Sequence, residues 1–322
     1  YLNSISMDSF RFYPGTPFLS LFASYFSSGF FNLNYFNTTL IFNLIGSIGL
    51  VLLYLSIKNY LKKLPWYWIF ILFIPSMSFW TGSLGKDSIS YFSICLLIFA
   101  VTNGKNPAIF VTISFVSMFM VRPHVAALIL MSYVIYFIIR ANISPLFKII
   151  IIPIIAALLV YSISFVQEYI GLDEASNLNQ YIETRQTYGQ NTGSYVDIGS
   201  MSYPMQIFTY TFRPLPFEAH NFISFINSLE NTILLWLFSL LLLNPRMSLK
   251  YSIRSENLWL FSYALITCSI LAMTTTNLGI ATRQKWMFMP VIIYLLVYTT
   301  YHLKYEKNKI KSEKYPDYEK LA

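Results

Sequence analysis

The sequence has few charged residues. Asp, Glu, Lys and Arg together make up 11% of its 322 residues, whereas a soluble domain carries roughly 25%. This scarcity argues against an ordinary soluble domain. Hydrophobic residues account for 56% of the chain and aromatic residues for 18%, proportions that are typical of a polytopic membrane protein.

Residues that build metal and nucleophile sites are also scarce. The two cysteines, Cys95 and Cys268, lie inside apolar runs, where we expect small buried side chains rather than a disulfide or a metal framework. The three histidines are scattered, without the spacing of a zinc or haem site. The sequence contains no P-loop and no Gly-x-Ser-x-Gly elbow. We therefore expect no metal and no cofactor.

Apolar runs fill most of the chain. A helix needs about 20 apolar residues to cross a bilayer, and nine runs come near that length. The second to the fifth are short for a full crossing, which favours tilted or polar-lined helices. We predict an all-α, polytopic transmembrane helix bundle of about nine helices, at 38–57, 65–79, 89–101, 108–121, 125–139, 149–165, 222–243, 258–275 and 286–301.

The rest of the chain divides simply. We expect a transmembrane helical domain over residues 1–303 and a charged cytoplasmic tail over 304–322. The longest connection, 168–206, is rich in Asn, Gln, Gly, Ser and Tyr. Two interpretations of it stay open, an outer lid over a cavity and a disordered loop. Because the sequence starts at Tyr1 in a polar stretch, we expect at least one helix to precede it.

The basic residues indicate an orientation. The net charge of +8 is spread over short connections rather than concentrated in one patch, so membrane topology explains it better than nucleic-acid binding. If residues 1–37 lie outside, fifteen of the 22 basic residues fall on the inner side, as the positive-inside rule requires. The seven that remain outside need another explanation; they are Arg11, Lys86, Arg122, Arg185, Arg213, Arg283 and Lys285.

Most of these outer basic residues lie at the ends of apolar runs, in five separate segments. Guanidinium groups suit phosphate oxygens, and the phosphates of a lipid carrier lie at headgroup depth. We therefore predict a cationic pocket for a lipid-linked diphosphate at the outer face. Pairing with nearby acids and snorkelling to headgroups is the structural alternative. The predicted substrate-binding residues are Arg11, Lys86, Asp87, Arg122, Arg213, His220, Arg283 and Lys285.

Transfer to a sugar hydroxyl needs a group that accepts its proton. The outer candidates for this catalytic role are Asp8, Glu218 and His124, and the sequence does not rank Asp8 against Glu218. His124 follows Arg122-Pro123 at a predicted helix start, where a histidine is more often a hydrogen-bonded helix-end residue than a base. Glu230 lies deep in its predicted helix, so we expect it to be a partner for a buried arginine.

The order of these segments resembles a known family. Asp8-Ser-Phe-Arg11, Pro75-Ser-Met-Ser-Phe-Trp-Thr-Gly-Ser-Leu-Gly-Lys-Asp87, Arg122-Pro-His124, Arg213-Pro-Leu-Pro-Phe-Glu218 and Asn277-Leu-Gly-Ile-Ala-Thr-Arg283 are similar to segments of bacterial surface-polysaccharide polymerases of the O-antigen polymerase kind and of GT-C-type membrane glycosyltransferases. The resemblance covers nearly the whole chain. It implies a GT-C-like bundle that uses undecaprenyl-diphosphate-linked sugars at the periplasmic face, with an acidic residue of the first outer loop, here Asp8, serving the acceptor.

The sequence thus predicts a glycosyltransferase of the bacterial inner membrane, most specifically a polysaccharide repeat-unit polymerase. Its expected partners are a lipid-linked saccharide of the undecaprenyl diphosphate type, membrane lipids and polysaccharide assembly proteins, with no nucleic acid. Two alternatives stay open. One is a transporter or flippase of lipid-linked oligosaccharide, and the other is a non-catalytic scaffold of the assembly complex.

Overall fold

The computed structural model describes residues 13–28, 31–103, 106–140, 193–219 and 221–314, together with the single residue 153, and side chains as far as residue 305. Within these ranges the chain is helical, and its only β-type pairing is one isolated bridge. The α-helices are α1 Thr16–Ser27, α2 Tyr35–Leu61, α3 Pro75–Thr81, α4 Lys86–Asn103, α5 Pro107–Val121, α6 Pro123–Arg140, α7 Tyr203–Phe212, α8 Phe222–Leu242, α9 Pro245–Ser252, α10 Asn257–Thr274, α11 Leu278–Gln284 and α12 Met289–Lys314. The 3-10 helices are Trp66–Leu72, Pro216–Glu218 and Lys285–Met287.

Four of these helices, α2, α6, α8 and α10, are long and apolar enough to cross a membrane. A fifth crossing results if the pair Leu278–Met287 and Met289–Tyr305, bent by 62°, counts as one span. The all-helical, polytopic class predicted from the sequence therefore agrees with the described part of the chain. Helix α4 is less apolar than these four helices because it carries Lys86, Asp87 and several serines. It lies inside the bundle rather than on its surface.

Most predicted segments coincide with helices, with two exceptions. The predicted span 65–79 is broken into the 3-10 helix Trp66–Leu72 and the separate helix α3. Pro75 starts α3 without an N–H to donate and holds Ile74 in an extended conformation, so a continuous helix cannot pass through this point. Apart from residue 153, the predicted span 149–165 lies outside the described residues, as does the part of the connection 168–206 that precedes residue 193.

Helix α4 lies at the centre of the bundle, packed between α2, α5 and α12. Two glycines allow α2 to approach closely: a Cβ at Gly46 would collide with the carbonyl oxygen of Thr81, and one at Gly49 would lie 2.9 Å from the ring of Tyr91. This close approach fixes the turn between α3 and α4 against α2. The start of α4, where Lys86 and Asp87 lie, is thereby held inside the bundle.

The remaining helices complete the frame around this point. Helices α5 and α6 are joined through Arg122 alone, whose backbone (φ −142°, ψ 76°) leaves the helical region before Pro123 begins α6. Helix α10 runs back along α6, and the Trp259 indole donates to the carbonyl of Ile129. The chain then turns through α11 into α12. The α3–α4 turn, the α5–α6 junction and α11 therefore meet at one end of the bundle.

Candidate functional site

Asp87 is the point at which three separate segments meet. Its carboxylate, only 3% exposed, accepts from the Arg122 Nη2 at 2.6 Å through Oδ1 and from the Arg283 Nε at 2.5 Å through Oδ2. One arginine comes from the α5–α6 junction and the other from α11. Ion pairs between N–H donors and carboxylate oxygens at these distances are short, charge-assisted hydrogen bonds. Asp87 therefore locks two guanidinium groups of distant sequence positions side by side.

The two arginines differ in accessibility. Arg122 is 11% exposed, and its Nε also donates to the hydroxyl of Ser90 at 3.1 Å, so two residues on one face of α4 fix its orientation. Arg283 is 42% exposed, and its guanidinium lies 5.4 Å from the ring centroid of Trp80. This distance is within the range of a cation–π contact. Arg283 is thus positioned but still reachable from outside the bundle.

Lys86 adds a third positive charge to the same place. It is half-buried at the start of α4 and lies close enough to interact electrostatically with Arg122, Asp87 and Arg283. These four residues, Lys86, Asp87, Arg122 and Arg283, are called the Asp87 cluster below. Three cations surround one carboxylate, which leaves two positive charges in excess. Such an excess near a membrane boundary attracts an anion.

Arg213 and Glu218 form a second, separate ion pair. The Arg213 Nη2 lies 2.7 Å from the Glu218 Oε1, and the Nε donates to Oε2 at 3.0 Å, which is the bidentate geometry that binds guanidinium to carboxylate most firmly. The backbone N–H of Leu215 also donates to Glu218. Partial burial raises the pKa of the Glu218 carboxyl, but the bonds from Arg213 and Leu215 outweigh it, so this pKa lies below its usual value. In this state Glu218 is a weak proton acceptor.

Lys285 lies apart from the Asp87 cluster, inside the bundle. It is 1% exposed, and its Nζ donates to the Asn231 Oδ1 at 2.6 Å. The amide of Asn231 donates in turn to the carbonyl of Pro214 at 3.2 Å. Lys285 therefore joins the 3-10 helix Lys285–Met287 to α8, and Asn231 joins α8 to the turn that follows Arg213. A direct contact with an outside phosphate would require it to leave this buried position.

Glu230 was expected to pair with a buried arginine, and the structure shows a different arrangement. Its Oε1 accepts from the backbone N–H of Ser76 at 2.9 Å, at the break before α3. The charge that interacts with it is that of Lys285. The expectation was wrong because Pro75 starts α3, so the Ser76 N–H in its first turn has no helical carbonyl to donate to, and Glu230 supplies the acceptor.

The other predicted residues are distributed as follows. His124 is half-buried in the first turn of α6, two residues after Arg122. Asp8, Arg11 and His220 lie outside the described residues, so their relation to the Asp87 cluster stays a prediction. Cys95 and Cys268 are free and buried, as the sequence predicts. Within the described ranges, His, Cys, Asp and Glu form no group of three or more that could hold a metal ion.

One contact near the site was not foreseen from the sequence. The backbone of residues 194–196 pairs with that of residues 276–278: the Val196 N–H donates to the carbonyl of Thr276, and the Leu278 N–H donates to that of Ser194. The end of the long connection is thereby attached to the first turn of α11, the helix that carries Arg283. Because backbone groups make this contact, no particular residue type in the sequence predicts it.

Comparison with known proteins adds no family to this description. No protein-family model, no curated protein and no solved structure matches the chain.

Proposed function

We propose that the protein transfers glycosyl groups from an undecaprenyl-diphosphate-linked sugar at the outer face of the bacterial inner membrane, and that its reaction is the polymerisation of polysaccharide repeat units. The observation that carries the proposal is the Asp87 cluster, in which two arginines share one carboxylate and Lys86 lies beside them. A diphosphate carries the opposite charge in a compact form. The partly exposed Arg283 is the member best placed to receive it.

The geometry of the Asp87 cluster suits the departure of a diphosphate. When the sugar leaves its carrier, negative charge grows on the oxygen that it leaves behind. Donors that are held in place before the reaction stabilise this charge without reorganisation. Asp87 holds Arg122 and Arg283 in such fixed positions, and Lys86 adds charge. The donor carbon then becomes accessible to the hydroxyl of the acceptor sugar.

Activation of the acceptor is assigned to Asp8, with His124 as the second candidate. Arg213 forms an ion pair with both carboxylate oxygens of Glu218. In our proposal Glu218 therefore orients Arg213 rather than removing a proton. Asp8 carries this role on the basis of its sequence position alone. Asp8→Asn and His124→Gln variants distinguish the two candidates: only the residue that takes the proton should reduce the rate of elongation while leaving donor binding intact.

The test is elongation of a lipid-linked repeat unit by the purified protein in detergent, followed as a ladder of products on a gel. Arg283→Ala should stop elongation, and Arg122→Ala should do the same. A suitable control is Arg246→Ala, because Arg246 is exposed on α9, which packs against the opposite half of α12 through the contact of Ser252 with Thr299. Normal ladders from both cluster variants would refute the proposal.

A transporter of lipid-linked oligosaccharide is the second candidate. It is favoured by the buried polar residues Glu230, Asn231 and Lys285, because ionisable side chains inside membrane spans frequently mark transport pathways. The detergent assay separates the two functions. Elongation in the absence of a membrane is catalysis, whereas a transporter would move a fluorescent lipid-linked saccharide between leaflets of a liposome and leave its length unchanged.

A further inference from the structure

A groove on the side of the bundle carries a feature that the proposed transfer reaction does not use. It lies between the 3-10 helix Trp66–Leu72 with its following residues and helix α8, and has a volume of about 420 Å³. Its walls are mostly aromatic and aliphatic, with Tyr67, Phe73 and Trp236 among them. The rings of Tyr67 and Trp236 face one another across it, 6.3 Å apart. Glu230 is the ionisable residue in its lining.

The position of the groove defines how a ligand would reach it. Phe70, Phe73, Ile233 and Trp236 border it and are each at least half exposed on the bundle surface, where a membrane helix meets hydrocarbon. Glu230 is the ninth residue of the 21-residue helix α8, so it lies near the middle of that span. A ligand must therefore enter from the bilayer, and most of its body must be apolar.

One carboxylate oxygen of a groove-lining residue lacks a hydrogen-bond partner within the described part of the chain. Glu230 lines the groove and is 6% exposed, and its Oε2 is buried without a hydrogen bond. A buried acceptor without a donor is costly in a membrane interior. A hydroxyl group can donate one hydrogen bond, so the hydroxyl of a ligand in the groove can supply the donor that this carboxylate lacks.

The charge around Glu230 selects against ionic ligands. Lys285 already balances the carboxylate, so a cationic ligand would leave an excess positive charge in the span, and an anionic one would meet the carboxylate directly. Both outcomes are unfavourable where the surroundings are apolar. We propose that the Glu230 groove binds an uncharged amphiphile that has an apolar chain and a hydroxyl group, with the hydroxyl donating to the Glu230 Oε2.

The experiment uses the full chain in lipid nanodiscs and two probes, 11-bromo-1-undecanol and its methyl ether, which accepts a hydrogen bond but cannot donate one. Bromine quenches the fluorescence of nearby tryptophans such as Trp68 and Trp236. After correction for partition into protein-free nanodiscs, the alcohol should bind about tenfold more tightly than the ether, as expected for a hydrogen bond to a charged acceptor. Equal binding of the two probes, or no binding of either, would overturn the proposal.

Two variants and one further probe complete the test. Glu230→Gln replaces Oε2 by an N–H donor, so the preference for the alcohol should disappear; an unchanged preference would contradict the assignment to Glu230. Ile233→Phe narrows the groove at its lipid-exposed wall without touching the buried polar atoms, and should weaken both probes. A brominated undecyltrimethylammonium ion that binds more tightly than the alcohol would refute the uncharged class. Elongation activity plays no part in these measurements, so each proposal can fail without the other.

Discussion

The substitution Asp87→Asn tests how the Asp87 cluster is held together. The change keeps the size of the side chain and removes the charge that Arg122 and Arg283 share. Arg122 is 11% exposed and would lose a charge-assisted bond worth about 1.5–3 kcal/mol, while the more exposed Arg283 would lose about 0.2–1 kcal/mol. Since Asn still accepts one hydrogen bond, we expect the free energy of unfolding to fall by about 2–3 kcal/mol.

The assay is equilibrium unfolding in mixed micelles, titrated with sodium dodecyl sulfate and followed by tryptophan fluorescence. Double-mutant cycles of Asp87→Asn with Arg122→Ala and with Arg283→Ala separate the two pairs. The coupling energy of Asp87 with Arg122 should be about 2 kcal/mol and should exceed that with Arg283 by at least about 1 kcal/mol. Equal coupling energies for the two pairs, or a larger one for Arg283, would show that burial does not determine which ion pair is the stronger.

Three further predictions concern other contacts. Gly46→Ala should lower the free energy of unfolding by about 1–3 kcal/mol through overpacking, whereas Gly193→Ala, where a Cβ meets nothing within 4 Å, should leave it unchanged. Because the pKa of Glu218 is lowered on folding, its pair stabilises the protein above pH 4.5, its unfolded value, and loses that contribution as pH falls through the folded pKa; the stability difference from Glu218→Gln should therefore vanish in acid. Lys285→Met should destabilise by about 3–5 kcal/mol by leaving Glu230 unbalanced, and adding Glu230→Gln should restore part of the loss. Equilibrium unfolding checks all three. An unaltered Gly46→Ala protein, a pH-independent Glu218→Gln difference, or a Lys285→Met/Glu230→Gln protein that is no more stable than Lys285→Met alone would contradict them.

Part of the site could be predicted from the sequence. Lys86, Arg122 and Arg283 each stand at the end of an apolar run, on the side where the positive-inside rule disfavours them, and that pattern is readable without a structure. The described residues bring these three together. The carboxylate that organises them was named only as one member of the set, because nothing in the sequence indicates that Asp87 is shared by two arginines from distant helices.

Other expectations failed for reasons of helix geometry. Arg283 and Lys285 were grouped as phosphate ligands, but residues two apart on a helix point to different sides, and the structure directs the first to Asp87 and the second to Asn231. The apolar run 65–79 predicts one helix, but Pro75 lies within it and the structure has two separate helices there. The proline is present in the sequence and indicates the break, whereas the length of the apolar run favours an unbroken span.

The polar residues of α8 show both what the sequence predicts about this helix and what it does not predict. His220, Ser224, Asn227 and Asn231 recur on one side of the helix in the sequence, which predicts that they face protein or water rather than lipid. In the structure Asn231 is fully buried and hydrogen-bonded to Lys285 and Pro214, as this pattern predicts, and Asn227 is half-buried. The partner of Asn231, Lys285, could not have been foreseen, because it comes from a segment 54 residues later whose bend into α12 is a property of the packed bundle.

The backbone pairing of residues 194–196 with residues 276–278 has an evolutionary consequence. Main-chain groups make this attachment, so most side chains of residues 194–196 can be exchanged without detaching this segment from α11, the helix that carries Arg283. Related proteins can therefore vary the side chains of residues 194–196 while the Asp87 cluster keeps its geometry. Comparison of such relatives should therefore find rapid change at 194–196 beside an unchanging Asp87, Arg122 and Arg283.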